Sequence, residues 1–344
     1  MPPVKTSAVT IRDVARLANV SIATVSRVLN GVGQIAPETE ERVRAAIATL
    51  NFVPKAAAQS LSNNKTNVIG LLLPEIDWAN FFPPMLRGIE AGCYDSGFEL
   101  LIHSARRFAG ENRPRRPVGE HNTDGMLLFV NSIPDEEIVR MHGRGFPLVL
   151  LYCSPPAQTD IPHVVFENKD GARQMVDHLI EAHAYRRIAF LAGPDDNEDA
   201  HWRERGYREA LQAHDMPFDP QLVRPGGFSE QIATATMQSW LQEGFEAEAV
   251  FAADDDSAYG AIRALQAAGR RVPEDVAVVG FDDAPTSRLF TPALTTVGAP
   301  IEEAGYRAAR MLAERIRTGQ TEQQALLPTS LVLRASCGCA DAVF

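Results

Sequence analysis

Apolar side chains recur at helical spacing in three short bursts between residues 10 and 50; beyond residue 68 they gather into compact runs separated by longer amphipathic stretches. The first burst, Thr10-Ile11-Arg12-Asp13-Val14-Ala15, opens with a capping hydroxyl and an acid three residues on, which predicts a helix start. It should end at Ala18-Asn19-Val20, because Asn tolerates the left-handed backbone of a tight interhelical turn, and Ser21 can cap the next helix. That second helix covers about residues 22–29, with Val25, Val28 and Leu29 on its apolar side, and Pro37 with Glu38, Glu40 and Glu41 starts a third that ends near Leu50. Ala15 permits a close, steep crossing of the first two helices, and Val20 fills the angle between them. Ile22, Ala23 and Arg27 then project from a helix whose N-terminus is free. Such a helix can enter the major groove of DNA, where Arg bonds guanine bidentately and Ile or Ala touches a thymine methyl.

Downstream, buried-strand patterns at residues 68–73, 99–102, 125–130, 148–151, 188–192, 250–252 and 276–280 alternate with helical ones such as residues 84–96. Alternation of this kind predicts parallel sheets covered by helices on both faces, and the runs are too many for one compact sheet, so two lobes are expected. Ligands in open α/β sheets sit beyond the carboxyl ends of strands. The residues there are polar or aromatic: Asp77, Trp78, Phe81 and Phe82; Tyr152; Asn197, Glu198, Asp199, Trp202 and Arg203; Asp254, Asp255 and Asp256; Asp282 and Asp283. Carboxylates accept from hydroxyl pairs and aromatic rings cover the apolar faces of a sugar, so the collection suits a carbohydrate. Asp255 opens a helix and reads as a capping carboxylate in preference to a ligand contact. Trp202 suits either the core or the ligand. Three consecutive Asp at a helix start cannot all face one ion, so no metal is expected there.

At 344 residues and 45% apolar, the chain exceeds one hydrophobic core. Residues 1–10 lack the apolar segment of a secretory signal, and no run reaches ~18 apolar residues, so a cytoplasmic protein without membrane contact is expected. The net charge of −11 argues against nucleic acid until it is apportioned. Residues 1–66 hold eight basic and four acidic side chains, leaving −15 on the rest, and a basic head on an acidic body can still meet phosphates. Cys93, Cys153, Cys337 and Cys339 are too few for a disulfide framework. Cys337-x-Cys339 hints at metal or redox chemistry, but no further Cys or His pair has zinc-ligand spacing, so reduced thiols near a C-terminal strand, and no metal, are expected. The phosphate-cradling Gly-x-x-x-x-Gly-Lys and the Gly-x-Ser-x-Gly elbow are both missing, and His103, His163 and His178 lie far apart. Neither an enzyme nor a cofactor is therefore expected. A periplasmic sugar-binding protein would share the two-lobed body, but the basic head and the missing signal oppose it.

The stretches Thr10-Ile11-Arg12-Asp13-Val14-Ala15 and Val20-Ser21-Ile22-Ala23-Thr24-Val25-Ser26-Arg27-Val28-Leu29-Asn30-Gly31 closely resemble the head of the lactose/galactose repressor (LacI/GalR) family. Asn51-Phe52-Val53-Pro54-Lys55-Ala56-Ala57-Ala58-Gln59-Ser60-Leu61 resembles its hinge helix. Arg87-Gly88-Ile89-Glu90, Val272-Pro273-Glu274-Asp275 and Thr291-Pro292-Ala293-Leu294-Thr295-Thr296 resemble its periplasmic-binding-protein-like effector domain. The resemblance implies a small all-α helix-turn-helix head at 8–50, a hinge helix and linker at 51–65, and an α/β body of two lobes with parallel sheets at 66–340. It implies a transcriptional regulator, a repressor before an activator, that binds palindromic operator DNA as a homodimer or higher oligomer under control of a small effector, a sugar first.

DNA contacts carry over onto Thr10, Ser21, Ile22, Ala23, Thr24, Ser26, Arg27 and Asn30 in the head, and onto Lys55, Ala58, Gln59 and Leu61 in the hinge. Leu61 would wedge into the minor groove, unless it is an ordinary buried leucine. Effector contacts carry over onto Arg203, Asp254 and Asp282 and less securely Phe82, to which the strand-end reading adds Tyr152 and Trp202. Relatives often have Asn and Arg at Lys55 and Gln59, and an Asp-Arg pair at Tyr152-Cys153, so contacts at those positions differ here. Residues 105–119, with five Arg and two Pro, show no apolar stripe and read as an irregular exposed loop where relatives place a helix.

Overall fold

The computed structural model describes residues 9–30, 33–52, 65–74, 80–105 and 119–339. The chain divides into two compact units, Met1–Thr66 and Asn67–Phe344.

The head is a helix-turn-helix. Helix α1 (Ile11–Ala18) begins where the Asp13 carboxylate accepts from both the Thr10 N–H, at 2.9 Å, and the Thr10 hydroxyl, at 2.7 Å. Those hydrogen bonds hold the Asp13 pKa below the usual carboxylate range. The helix stops at Asn19, whose φ of 52° is left-handed, and Val20 N–H closes the turn onto Ala15 O at 3.0 Å. Ser21 Oγ then accepts from Thr24 N–H at 3.1 Å at the start of α2 (Ile22–Asn30), and α3 (Pro37–Leu50) completes the unit with Pro at its first turn. Val14, Ala15, Ala18, Val25, Val43 and Ala46 form the core, small side chains that let three short helices approach closely.

In the body, one lobe is built on β1 (Val68–Leu73), α4 (Phe82–Asp95), β2 (Glu99–Ser104), β3 (Gly125–Phe129), α5 (Asp135–Gly143), β4 (Leu148–Leu151) and β5 (His163–Phe166). The chain then enters a second lobe, comprising α6 (Asn168–His183), β6 (Ile188–Ala192), α7 (Glu198–Ala213), β7 (Val223–Pro225), α8 (Glu230–Gln242), β8 (Ala249–Ala252), α9 (Asp255–Ala267), β9 (Ala277–Asp282) and β10 (Thr295–Gly298). It returns to the first lobe for α10 (Ile301–Thr318) and β11 (Gln324–Leu327), and crosses once more for β12 (Ser330–Val332) and a short 3-10 turn at Ala335–Cys337. The strand orders are β11-β5-β4-β3-β1-β2 and β12-β10-β9-β8-β6-β7. Every recorded pairing is parallel except β10 with β12.

Both faces of each sheet are covered, which explains the continuous apolar runs: Ile69, Leu71 and Leu73 pack beneath α4 and α10, while Leu72 packs with Ile138 and Met141 of α5. Five strands, β5, β7, β10, β11 and β12, are additional to those expected. They are three or four residues long, and β5 and β11 alternate buried with exposed positions, so an apolar run does not announce them. Among the described residues no helix is long and apolar enough to cross a membrane.

Candidate functional site

The three interlobe crossings bring the carboxyl ends of both sheets to face one another, and the polar residues predicted beyond those ends converge there. Helix α7 presents Asp199, Arg203, Tyr207 and Ala210 on one buried face, the three-to-four-residue spacing of a helical stripe. Arg203 is the buried cation among the described residues and is held on all sides. Its Nε donates to Asn168 Oδ1 at 2.9 Å and its Nη1 to Ala253 O at 2.6 Å; its Nη2 lies 3.0 Å from Asp282 Oδ1. The guanidinium also covers the Phe281 ring, 3.8 Å from its centroid. Asn168 Nδ2 in turn donates to Asp199 Oδ1 at 2.8 Å.

Against this single cation stand four buried carboxyl groups, Asp199, Asp254, Asp255 and Asp282. Burial lifts Asp199 and Asp282 to about 6 even though Arg203 pulls both down, and lifts Asp254 to about 7 with the Asp282 charge adding to the effect. Burial raises Asp255 as well, but this group is fully engaged. It accepts from Ala284 N–H at 2.8 Å, Ser287 Oγ at 2.6 Å and Thr296 Oγ1 at 2.6 Å. The capping role expected of Asp255 belongs to Asp254, whose Oδ1 accepts from Ser257 N–H at 3.0 Å. Asp255 lies one residue into the helix, which turns its side chain inward to tie α9 to the segment after β9.

An aromatic wall from the first lobe faces this cluster. Tyr152, fully buried at a left-handed φ of 63°, stacks on Phe166 with centroids 5.1 Å apart and meets Phe81 and Phe129 edge-on. Phe82 joins the wall through Phe129, centroids 5.5 Å apart. Burial and the Asp199 and Asp282 charges raise the Tyr152 pKa, so the phenol keeps its proton. Tyr152 Oη and Asp282 Oδ1 are buried without a hydrogen-bond partner, the Arg203 contact to Asp282 being close but poorly aligned. Buried polar atoms are rarely left so, and a ligand hydroxyl can satisfy either a buried donor or a buried acceptor.

Trp202, one residue from Arg203 on α7, is 39% exposed, and its Nε1 donates to Glu198 Oε1 at 3.2 Å. It is neither core nor part of the buried cluster. Glu198 and two further pairs latch the lobes. Ser154 donates to Glu198 through its N–H at 2.6 Å and its hydroxyl at 2.7 Å, Asn80 Nδ2 donates to Asp256 Oδ1 at 2.6 Å, and Asn131 Nδ2 donates to Asp196 O at 3.0 Å. The sequence points to no role for Asn168, Asn80, Asn131 or Ser154, and it offers Glu198 and Asp256 as ligand contacts where the structure engages them in latches. Asn168 stands two residues beyond β5, at the first position of α6, so recognising that strand would have found it.

In the head, Thr10, Ser21, Ile22, Ala23 and Arg27 are exposed, and Thr24 and Ser26 are half-buried. Asn30 ends α2. Lys55, Ala58, Gln59 and Leu61 lie outside the described residues, as do Asp77, Trp78 and most of the 105–119 segment.

Comparison with known proteins matches both units. Residues 10–55 match the lacI family of bacterial regulatory proteins and residues 176–337 a periplasmic binding protein-like domain. The HTH-type transcriptional regulator CelR of Thermobifida fusca is 37% identical over 336 residues, covering 95% of this chain and 98% of CelR. The ribose operon repressor of Halalkalibacterium halodurans is 32% identical over 327 residues, covering 94% and 96%. Among solved structures, a CelR-cellobiose complex superposes with a TM-score of 0.70 at 34% identity, covering 95% of this chain and 99% of that one. The lac repressor dimer bound to operator and the anti-inducer ONPF superposes with a TM-score of 0.82 at 28% identity, covering 96% and 99%. The chain therefore belongs to the LacI family of bacterial regulatory proteins, and it is a DNA-binding transcriptional regulator, not an enzyme.

Proposed function

We propose that this regulator is a cytoplasmic repressor that binds a palindromic operator as a homodimer and changes its operator affinity when a sugar enters the cleft between its lobes. The observation that carries the effector class is the buried Tyr152 Oη, which has no hydrogen-bond partner, together with Asp282 Oδ1, which has only its ion pair with Arg203, beside an excess of buried carboxyl groups. A ligand rich in hydroxyls donates to Asp282, Asp254 and Asp199, accepts from Tyr152, and lays its apolar face on Phe82 and Phe129. The cellobiose bound to CelR and the ribose operon of the second relative point to the same class. The latches at Ser154, Asn80 and Asn131 support a clamp whose two lobes close on the ligand.

Exposed Ile22, Ala23 and Arg27 supply base contacts, and Thr10, Ser21, Thr24, Ser26 and Asn30 surround them along the groove. Two heads on one palindrome add their phosphate contacts, so binding is strongly salt-dependent. The assignment of Lys55, Ala58, Gln59 and Leu61 to a minor-groove hinge rests on the sequence, as do the domain limits 8–50, 51–65 and 66–340.

Footprinting on DNA upstream of the protein's own and neighbouring genes, repeated with a panel of mono- and disaccharides, tests the reading. A protected palindrome holding two heads, with protection altered by one sugar, is expected. Equal affinity of a single chain for one half-site and for the whole operator would overturn the dimeric reading, and indifference to every sugar while another metabolite acts would overturn the effector class.

A further inference from the structure

We infer that His178, His183, Cys337 and Cys339 form a tetrahedral zinc site that clamps the C-terminal segment to the end of α6. Among the described residues these four side chains are the group able to hold a metal, and one ligand atom from each lies within 4.8 Å of all the others. His178 Nε2 is 3.8 Å from Cys337 Sγ and 3.5 Å from Cys339 Sγ, and His183 Nε2 is 3.4 Å from Cys339 Sγ. A tetrahedral ion with zinc–sulfur and zinc–nitrogen bonds of the usual length holds sulfur and nitrogen about 3.5 Å apart. These three sulfur–nitrogen separations lie within 0.3 Å of that spacing, and the remaining pairs are within 4.8 Å, close enough for small side-chain shifts to complete the shell.

The local structure builds this arrangement. His178 and His183 lie five residues apart in the last turns of α6 and their rings meet edge-on with centroids 5.0 Å apart, so both imidazoles reach the same spot. Ser336, between strands, donates to Val278 O at 2.6 Å and accepts from Thr295 N–H at 2.8 Å, which seats Cys337 in the second-lobe core. Gly338, at a φ of 99° that other residues rarely adopt, then reverses the chain and returns Cys339 to the same side.

Outer contacts fix the ligands: Tyr185 stacks on His183 with centroids 5.4 Å apart and its hydroxyl donates to Cys337 O, while Thr295 Oγ1 donates to Cys337 Sγ at 3.1 Å. Sulfur donors set the preference. Two thiolates and two imidazoles select zinc over magnesium or calcium, which require oxygen. Binding one Zn²⁺ releases one proton from each thiol to solvent and leaves a neutral complex, suited to a half-buried pocket that Cys339 and His183 keep open to entry. With four protein ligands and no vacant position the site is structural.

The full-length protein, reduced and stripped by a chelator, is titrated with Co²⁺ and then Zn²⁺. One equivalent of Co²⁺ with intense tetrahedral d–d bands and thiolate charge-transfer absorption is expected, displaced by one equivalent of Zn²⁺. Cys339→Ser and His183→Gln should each weaken binding by more than the ~10- to 100-fold typical of losing an outer-sphere partner. In the unaltered chain, bound zinc should slow alkylation of Cys339, a readout that needs no variant to fold. A weak octahedral cobalt spectrum, metal affinity unchanged in both variants, or alkylation of Cys339 at one rate with and without zinc would each overturn the site.

Discussion

Arg203 Nη2 lies 3.0 Å from Asp282 Oδ1, across the junction of α7 and the end of β9, with both groups out of solvent. The two partners are not equivalent. Arg203 also supports Asn168 and the Ala253 carbonyl, so removing it strands several buried polar groups, and Arg203→Ala should destabilise the body by about 3–5 kcal/mol. Asp282→Asn keeps shape and one acceptor while discharging a carboxylate that burial already disfavours. It should lower effector affinity by about 1.5–3 kcal/mol, ~10-fold or more, with a melting temperature close to that of the unaltered protein. Calorimetry with the effector and a thermal scan check both; undiminished affinity would remove Asp282 from the site.

The raised carboxyl groups set a pH dependence. Asp199, Asp254 and Asp282 hold protons in the folded body up to about pH 6 to 7, whereas an unfolded Asp releases its proton near ~4. Between those limits the folded state binds more protons, so stability falls as pH rises, by about 1.4 kcal/mol per unit per group at most, and levels off above the folded values. Hydroxyl donors from a sugar favour the charged forms. Effector binding near pH 6 should therefore release protons and tighten as pH rises towards 7. Calorimetry in buffers of different ionisation enthalpy measures this, and proton uptake on binding would contradict it.

Arg27 is exposed on α2, beyond the core formed by Val14, Val25 and Val43. Arg27→Ala should weaken operator binding by about 1–3 kcal/mol and relax the preference at one base pair, leaving effector affinity on the free protein unchanged. Fluorescence anisotropy on a set of single-base operator variants separates a base contact from a phosphate contact, since the latter would weaken all operators alike.

Gly88 of α4 and Gly305 of α10 allow two helices to touch backbone to backbone. A β-carbon on Gly88 would collide with the Glu302 carbonyl, and one on Gly305 with the Met85 carbonyl. Gly88→Ala should force the helices apart and cost about 1–3 kcal/mol in denaturant unfolding of the body. An unchanged midpoint would show that the crossing yields without strain.

Much of this architecture is legible in the sequence because local chemistry and tertiary role agree there. Thr10 with Asp13, Asn19 and Ser21 each do in the head what their side chains favour in isolation, and strands buried on both faces read as apolar runs. Legibility fails where pairing replaces propensity: β5 and β11 are short and half-exposed, and partners within the sheet define them. Site residues at strand ends were legible for the same reason as the strands. Asp254 holds the capping position expected of Asp255 because one residue of helix phase, about 100°, decides which carboxylate caps and which turns inward. The convergence of His178 and His183 on Cys337 and Cys339, more than 150 residues on, leaves no spacing to read and exists only through the fold.

Under the proposed function, sugar in the Arg203–Asp282 cleft and operator on α2 act on one equilibrium. Sugar affinity should be measured by calorimetry on the free protein and on its operator complex, and operator affinity by anisotropy with and without saturating sugar. Linkage requires the two ratios to be equal, and a coupling of about 1–3 kcal/mol, ~5- to 150-fold, is expected. Sugar that binds with the same affinity whether or not operator is present would show that the cleft and the head are not linked.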